Sequence, residues 1–188
     1  MADVDRCRWN ARFEQGEHAS AEPSPILVSL ASYLPESGTA LDVAGGAGRN
    51  AIWLAQQGLR VTLADLSDVG LELASRRAQH VGFSLRTLQV DLEQEPLPAG
   101  PWQLILFNQF LWRPLFGQVA ANLAPGGVLI VIHPTESNLL RNRKPSRRFL
   151  LQDGELPDLV CTLKIAKYEE GWSIEGRHDA VLVAHGER

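Results

Sequence analysis

Cysteine is scarce in this chain. Cys7 and Cys161 are the only two, and they lie too far apart to match a metal-ligand or redox spacing. Two isolated cysteines fit a reducing cytoplasm, which is where we expect the protein. Long apolar runs are also lacking. The longest unbroken aliphatic stretch, "VLIVI", is far short of a membrane span, and the opening "MADVDRCRWN" has no apolar signal core. No repeat or low-complexity tract occurs. Nor is there an excess of positive charge. The net charge of −4 argues against a protein that binds nucleic acid over its whole surface, though a local basic patch remains compatible with it. What is present is an ordinary globular composition, 45% hydrophobic and 21% charged over 188 residues. That is enough for a good core and fits a single domain spanning 1–188.

Short apolar runs alternate with helical patterns along most of the chain. "TALDVA" (39–44) precedes a helix expected near 48–57 and stopped by Gly58. "RVTLAD" (60–65) precedes a helix expected near 68–81, with Leu71, Ala74, Ala78 and Val81 as its apolar stripe. "SLRTLQVD" (84–91) reads as a third strand and "WQLILFN" (102–108) as a fourth. A helix near 112–123 follows, closed by the turn "APGG", and then a fifth strand, "VLIVIHP" (128–134). This alternation implies crossover connections and a mostly parallel sheet. After Pro134 the rhythm changes to a polar, basic segment. A short helix is expected in 153–159. Two β-like runs, 161–170 and 177–186, are joined by a link, "GWSIEG", so tight that they must run antiparallel.

The stretch "ALDVAGGAGRN" (40–50) carries the functional signal: an apolar run with one acid, a glycine turn, and the start of a helix. Two registers fit it. Ala44-x-Gly46-x-Gly48 is a variant of the turn of S-adenosylmethionine (SAM) binders, whereas Gly46-x-Gly48-x-x-Ala51 fits the dinucleotide fingerprint. The turn serves either cofactor, because a residue without Cβ allows positive φ and close approach of a ligand. Ala44 in place of glycine requires a negative φ there. Asp42 discriminates better, since a dinucleotide fold usually keeps its first strand apolar and a buried carboxylate needs a partner. The ammonium of a methionine moiety would supply one; capping nearby backbone N–H groups is the alternative. The helix start after Gly48 offers N–H groups to an anion, with Arg49 as a candidate contact or a solvated arginine. Asp65, with Leu66 beside it, is placed to accept from ribose hydroxyls. Asp91 ends the third apolar stretch, followed by Leu92. Three acids at successive strand ends make a coherent site; any one alone reads as a loop cap.

"LDVAGGAGRNAIWLAQQGLRVTLADLS" resembles the first two motifs of class I SAM-dependent methyltransferases. "WNARF…GE" is similar to the N-terminal "W-D-x-R-Y…G-E" of the small bacterial group that includes tellurite-resistance-type and thiopurine-type enzymes, and "LAPGGVLIV" is similar to its later turn and strand. The resemblance covers about residues 9–134. It implies a Rossmann-like α/β fold, doubly wound, with a mostly parallel seven-stranded sheet in the order 3-2-1-4-5-7-6 and strand 7 antiparallel. It also implies methyl transfer from SAM, Asp91 and Leu92 against the adenine, and Asn108 near the methionine ammonium. In such enzymes the N-terminal segment, here 1–22 with Trp9, Arg12, Phe13 and His18, folds over the cofactor. Residues 135–160 then form a substrate-side lid or insertion.

Methyl transfer from a sulfonium needs little beyond positioning and desolvation. A base matters only when the nucleophile must lose a proton. Asn108, Gln109, His133, Thr135 and Glu136 lie where such a group belongs. His133 has an ordinary ionisation near neutrality, and Asn108 and His133 are the catalytic candidates; a strand-end histidine bonded to backbone is the plainer reading of the latter. Arg141, Arg143, Lys144, Arg147 and Arg148 form either a solvated loop or a mobile lid drawing in an anionic small molecule. Arg147 and Arg148, next to the apolar "FLL", are the better-placed pair. Two other classes fit part of the pattern: an NAD(P)-dependent oxidoreductase of Rossmann type, and a non-catalytic SAM-binding regulator.

Overall fold

The computed structural model describes residues 2–17 and 20–187. The elements in chain order are α1 (Ala2–Glu14), α2 (Pro25–Ser29), β1 (Gly38–Val43), α3 (Arg49–Gln56), β2 (Leu59–Asp65), α4 (Asp68–His80), β3 (Arg86–Gln89), β4 (Trp102–Asn108), α5 (Phe116–Asn122), β5 (Leu123–Pro134), α6 (Leu156–Leu159), β6 (Lys164–Trp172) and β7 (His178–His185). The strands form one sheet in the order β3-β2-β1-β4-β5-β7-β6. β1 to β5 pair in parallel, while β7 runs antiparallel to both neighbours. This is the expected topology. No helix among the described residues is long and apolar enough to cross a membrane.

The central strands are apolar because both of their faces are covered. Leu41, Val43, Ile105 and Phe107 pack with Phe116 of α5 and Leu156 of α6 on one face. Ala40, Leu104, Leu106 and Ile130 pack with Leu54 of α3 and Leu27 of α2 on the other. Strand alternation then puts Asp42, Asp65 and Asn108 on the α3 side. Pro134 pairs with Asp179, so the first residues of β7, rather than its last, stand at the edge where β1, β2, β4 and β5 finish. Ligands bind at that edge of a doubly wound sheet.

Several boundaries differ from expectation, each for a local reason. The helix expected at 112–123 begins as a 3-10 turn, Arg113–Leu115, around Pro114 and becomes α-helical only at Phe116. β3 stops at Gln89, so Asp91 lies beyond the strand it was expected to end. Val81 falls just past α4 and is exposed, leaving Leu71, Ala74 and Ala78 as the buried stripe. β5 begins at Leu123 rather than 128, because the "APGG" turn sits inside a strand whose pairing with β4 is interrupted there. β6 begins at Lys164 rather than 161. α1 was not expected at all: Phe13 is the one buried side chain among its described residues, too little to give a helical stripe.

Candidate active site

After Val43 the chain turns through residues 44–48 into α3. Gly46 (φ +56°) and Gly48 (φ +78°) occupy the left-handed region. Ala44 overturns the expectation of a negative φ: it holds +54°, a conformation its Cβ resists. Phe13 of α1 packs on this turn, and a Cβ added to Gly46 would lie 3.0 Å from Phe13 Cζ. α1 is fastened beside it. Asn10 Nδ2 donates to Asp68 Oδ1 at 2.8 Å, and Ser67 Oγ donates to Asn10 Oδ1 at 2.6 Å. His18, expected in the same segment, lies outside the described residues.

Asp42 is 1% exposed, and no described residue donates to either carboxylate oxygen. The Ala51 amide approaches but falls outside hydrogen-bonding geometry. The capping alternative therefore does not hold. Burial, and then the Asp65 carboxylate, push Asp42 up to about 7, with Arg49 offsetting part of the rise. Asp65 is also buried. Its Oδ2 accepts from the Gly46 N–H and its Oδ1 from the Ser67 N–H, both at 2.8 Å, which ties the glycine turn to the end of β2. Burial raises its pKa and these bonds oppose the rise. Leu66 beside it is half-buried, as is Arg49 at the start of α3. Burial lowers the Arg49 pKa, and Glu175 opposes that, so the β6–β7 turn reaches the start of α3.

Asp91 differs from the other two acids. Its carboxylate caps the following turn, accepting from the Glu93 N–H at 3.0 Å and from Gln94 Nε2 at 2.5 Å. Leu92 is buried in the α5-side core. Asn108, at the end of β4, has a buried Oδ1 without a partner, and Gln109 after it holds φ +61°.

His133 is 4% exposed, and its Nε2 lies 2.8 Å from the Phe149 carbonyl. A carbonyl only accepts, so Nε2 carries the hydrogen and Nδ1 is an unpartnered acceptor. Burial pushes its pKa down to about 4. A neutral ring of that basicity, bonded to backbone, is a poor base at neutral pH. Glu136 pairs with Arg147 at 2.9 Å.

The basic segment is tied down rather than loose. Besides the Arg147 pair, Arg141 stacks over Trp172 at 3.9 Å and Arg148 over Phe149 at 4.4 Å. Asn142 Nδ2 donates to the Gly176 carbonyl at 2.9 Å. Arg143 and Lys144 remain exposed. Arg148 also approaches Glu93, whose pKa is raised by burial and the nearby Asp5 and Asp91, and lowered in part by Arg148 and Arg8. The basic segment and α1 therefore flank the same stretch of the rim.

Comparison with known proteins decides among the cofactor classes. Residues 40–127 match the family described as a methyltransferase domain, and that span holds the glycine turn, Asp42, Asp65, Asp91 and Asn108. That match and the sheet order around it support a class I SAM-dependent methyltransferase. The chain is similar to the tRNA 5-carboxymethoxyuridine methyltransferase of Escherichia coli strain K12, with 26% identity over 85% of this chain and 71% of that protein. Its fold is similar to that of TehB from Haemophilus influenzae, with TM-score 0.75, 14% identity, and coverage of 95% of this chain and 67% of that one. It is also similar to magnesium protoporphyrin IX methyltransferase from Synechocystis PCC 6803 with bound SAM, with TM-score 0.67, 18% identity, and coverage of 86% and 78%. The residues of this methyltransferase fit its cofactor. Two buried acceptors, Asp42 and Asn108, lack donors that the ammonium of SAM would supply.

Sequence reasoning missed Gly45, His178 and Asp179. A Cβ on Gly45 would lie 2.5 Å from Asp42 Oδ2, so glycine is needed there as well. His178 and Asp179 reach the ligand edge only because β7 is antiparallel. Asp179 is buried, with Oδ2 unpartnered, and Arg177 Nε approaches its Oδ1 at 3.4 Å.

Proposed function

We propose that this methyltransferase transfers its methyl group to a small nucleophile held where β4, β5 and β7 end, beneath residues 135–160. The observation that carries this reading is how that segment folds back onto the sheet. Thr135 bridges Leu151, and Arg113 donates to the Leu150 carbonyl at 3.1 Å and pairs with Glu155. The described residues then add a wall at the edge and no second domain to hold a large substrate. In this reading 1–188 is one domain, 1–22 its cap and 135–160 its lid.

When bound, SAM supplies an electrophilic methyl group on a sulfonium. Gly46, Gly48 and the Ala44 backbone admit it closely, while Arg49 and the first amides of α3 meet its carboxylate. Asp42 and Asn108 meet the ammonium, which supplies the donors they lack. Asp65, with Leu66 beside it, accepts from the ribose through lone pairs its two backbone bonds leave free. Leu92 flanks the adenine, and Asp91 reaches it by sharing or releasing a turn bond.

Calorimetry with SAM and S-adenosylhomocysteine tests the cofactor site. Gly46→Val forces a branched side chain into positive φ and against Phe13, and should abolish binding in a folded protein. Unchanged affinity would remove the turn from the site. A methyl-transfer screen over thiols, halides, metalloid oxyanions, small amines and carboxylates tests the acceptor, and silence across all of them would end the small-molecule reading.

A second reading is an RNA acceptor. It is favoured by exposed Arg143 and Lys144 in the same segment as exposed Phe149, and by the likeness to a tRNA methyltransferase. Fluorescence anisotropy with bulk tRNA separates the two readings. Binding that falls steeply with salt supports RNA; no binding leaves the small acceptor.

A further inference from the structure

His178 opens β7 and, because β7 is antiparallel to β5, stands at the ligand-binding edge. Its Nδ1 lies 2.8 Å from Thr135 Oγ1, and its carbonyl accepts from the Thr135 N–H at 2.9 Å. Thr135 is fully buried, so this pair is fixed. Behind it sits Asp153, held below the usual carboxylate range first by the Ser137 hydroxyl and then by the Thr135 hydroxyl. The Thr135 hydroxyl has His178 Nδ1 as its one side-chain hydrogen-bond partner among the described residues. With its O–H turned to the Asp153 side, Thr135 Oγ1 accepts from Nδ1–H, and the imidazole lone pair then lies on Nε2. Nε2 has no hydrogen-bond partner among the described residues. The ring is half-buried and edge-on to Trp172 at 5.3 Å. In His133, by contrast, Nε2 is consumed by a backbone carbonyl.

We propose that His178, oriented through Thr135 and Asp153, is the base on the acceptor side, and that the acceptor is therefore a protic nucleophile: a thiol, hydroxyl or amine. The inference rests on the small-acceptor reading above and narrows it. In the step, the lone pair of the acceptor atom forms the new bond to the methyl carbon. The sulfonium carbon–sulfur bond breaks with its electrons going to sulfur, and the acceptor's proton passes to Nε2. Thr135 and Asp153 are positioning residues. The charged groups around the ring are Asp153 behind Thr135, Arg177 and Asp179 on its own strand, and Arg141 on the far side of Trp172.

The test uses the full chain. Histidine-labelled NMR, with His178→Gln to assign the signal, should show neutral His178 as the Nδ1–H tautomer. Thr135→Val should lose that preference and Thr135→Ser should keep it. Turnover is then followed at pH 7 with 2-mercaptoethanol, which keeps its proton there, and with iodide, which has none. The thiol should be methylated. His178→Gln should lower kcat by at least about 10²-fold, the lower end for general-base catalysis, with unchanged melting temperature and SAM affinity. Thr135→Val should be slowed and Thr135→Ser should approach wild type. An Nε2–H tautomer in the wild type, a wild-type rate in His178→Gln, or methylation of iodide alone would overturn the proposal. So would methylation of neither probe by a protein that binds SAM. Transfer to an oxyanion or carboxylate in the wider screen would then leave the small-acceptor reading standing without this base.

Discussion

Ala44 and Gln109 hold positive φ at the ends of β1 and β4, which are neighbours in the sheet. The left-handed region costs a residue with a Cβ about 1–2 kcal/mol, and both residues border the proposed cofactor site. Ala44→Gly removes that strain but adds about 0.5–1 kcal/mol of unfolded-chain entropy. The expected net effect is a gain of up to about 1 kcal/mol in urea denaturation, with SAM affinity kept. A clear loss of stability would mean that Ala44 is not strained in solution. At this scale the sequence was informative where chemistry is written in residue type. Gly46, Gly48, Asp42 and Asp65 were legible because a glycine turn and buried acids mean the same thing in one dimension as in three. The φ of Ala44 was not, because nothing in an alanine's identity marks its backbone conformation. Asp91 looked equivalent to the other acids until its carboxylate was seen accepting from Glu93 and Gln94.

Elements were legible in proportion to the apolar surface they bury. β4 lies where its apolar run put it, at Trp102–Asn108. The "GWSIEG" link correctly required an antiparallel β6 and β7. What the link could not mark is that the same direction carries His178 and Asp179 to the ligand edge, since that follows from the distant pairing of Pro134 with Asp179. α1 was invisible because its attachment is one aromatic and a few polar bonds. That attachment predicts how it fails. Phe13 packs against Gly46 and Gly70, and a buried Phe→Ala change commonly costs about 3–5 kcal/mol. Here the loss should fall on α1 rather than on the sheet, because α1 is terminal and can open alone. Phe13→Ala should speed hydrogen exchange throughout α1 and weaken SAM binding while β4 and β5 stay protected, and Phe13→Leu should restore much of both. Uniform loss of protection across the sheet would show that α1 and the sheet open as one unit.

For the whole molecule, two buried groups titrate against each other. Asp42 moves from 3.8 to about 7 on folding. Between those values the folded chain keeps a proton that the unfolded chain releases, so this group's contribution to stability falls as pH rises and levels off above about 7. His133 moves from 6.5 to about 4. Between those values the unfolded chain binds a proton that the folded chain does not, so its contribution rises with pH and is complete above 6.5. In full the two are worth about 4–5 kcal/mol for Asp42 and about 3–4 kcal/mol for His133, at roughly 1.4 kcal/mol per pH unit for one proton. From about pH 4.5 to 6.5 the two slopes oppose and largely cancel, and burial of Asp65 and Asp179 adds to the falling side. Single substitutions should separate them. In urea denaturation across that range, Asp42→Asn should shift the slope of stability against pH upward relative to wild type. His133→Gln should shift it downward. Asp42→Asn should also be the more stable protein at pH 8, where the wild type holds an unpartnered buried charge. SAM should narrow that gap, because its ammonium supplies the partner that the fold withholds. Slopes indistinguishable from wild type in both variants would mean that water reaches these two groups and that neither is buried in solution.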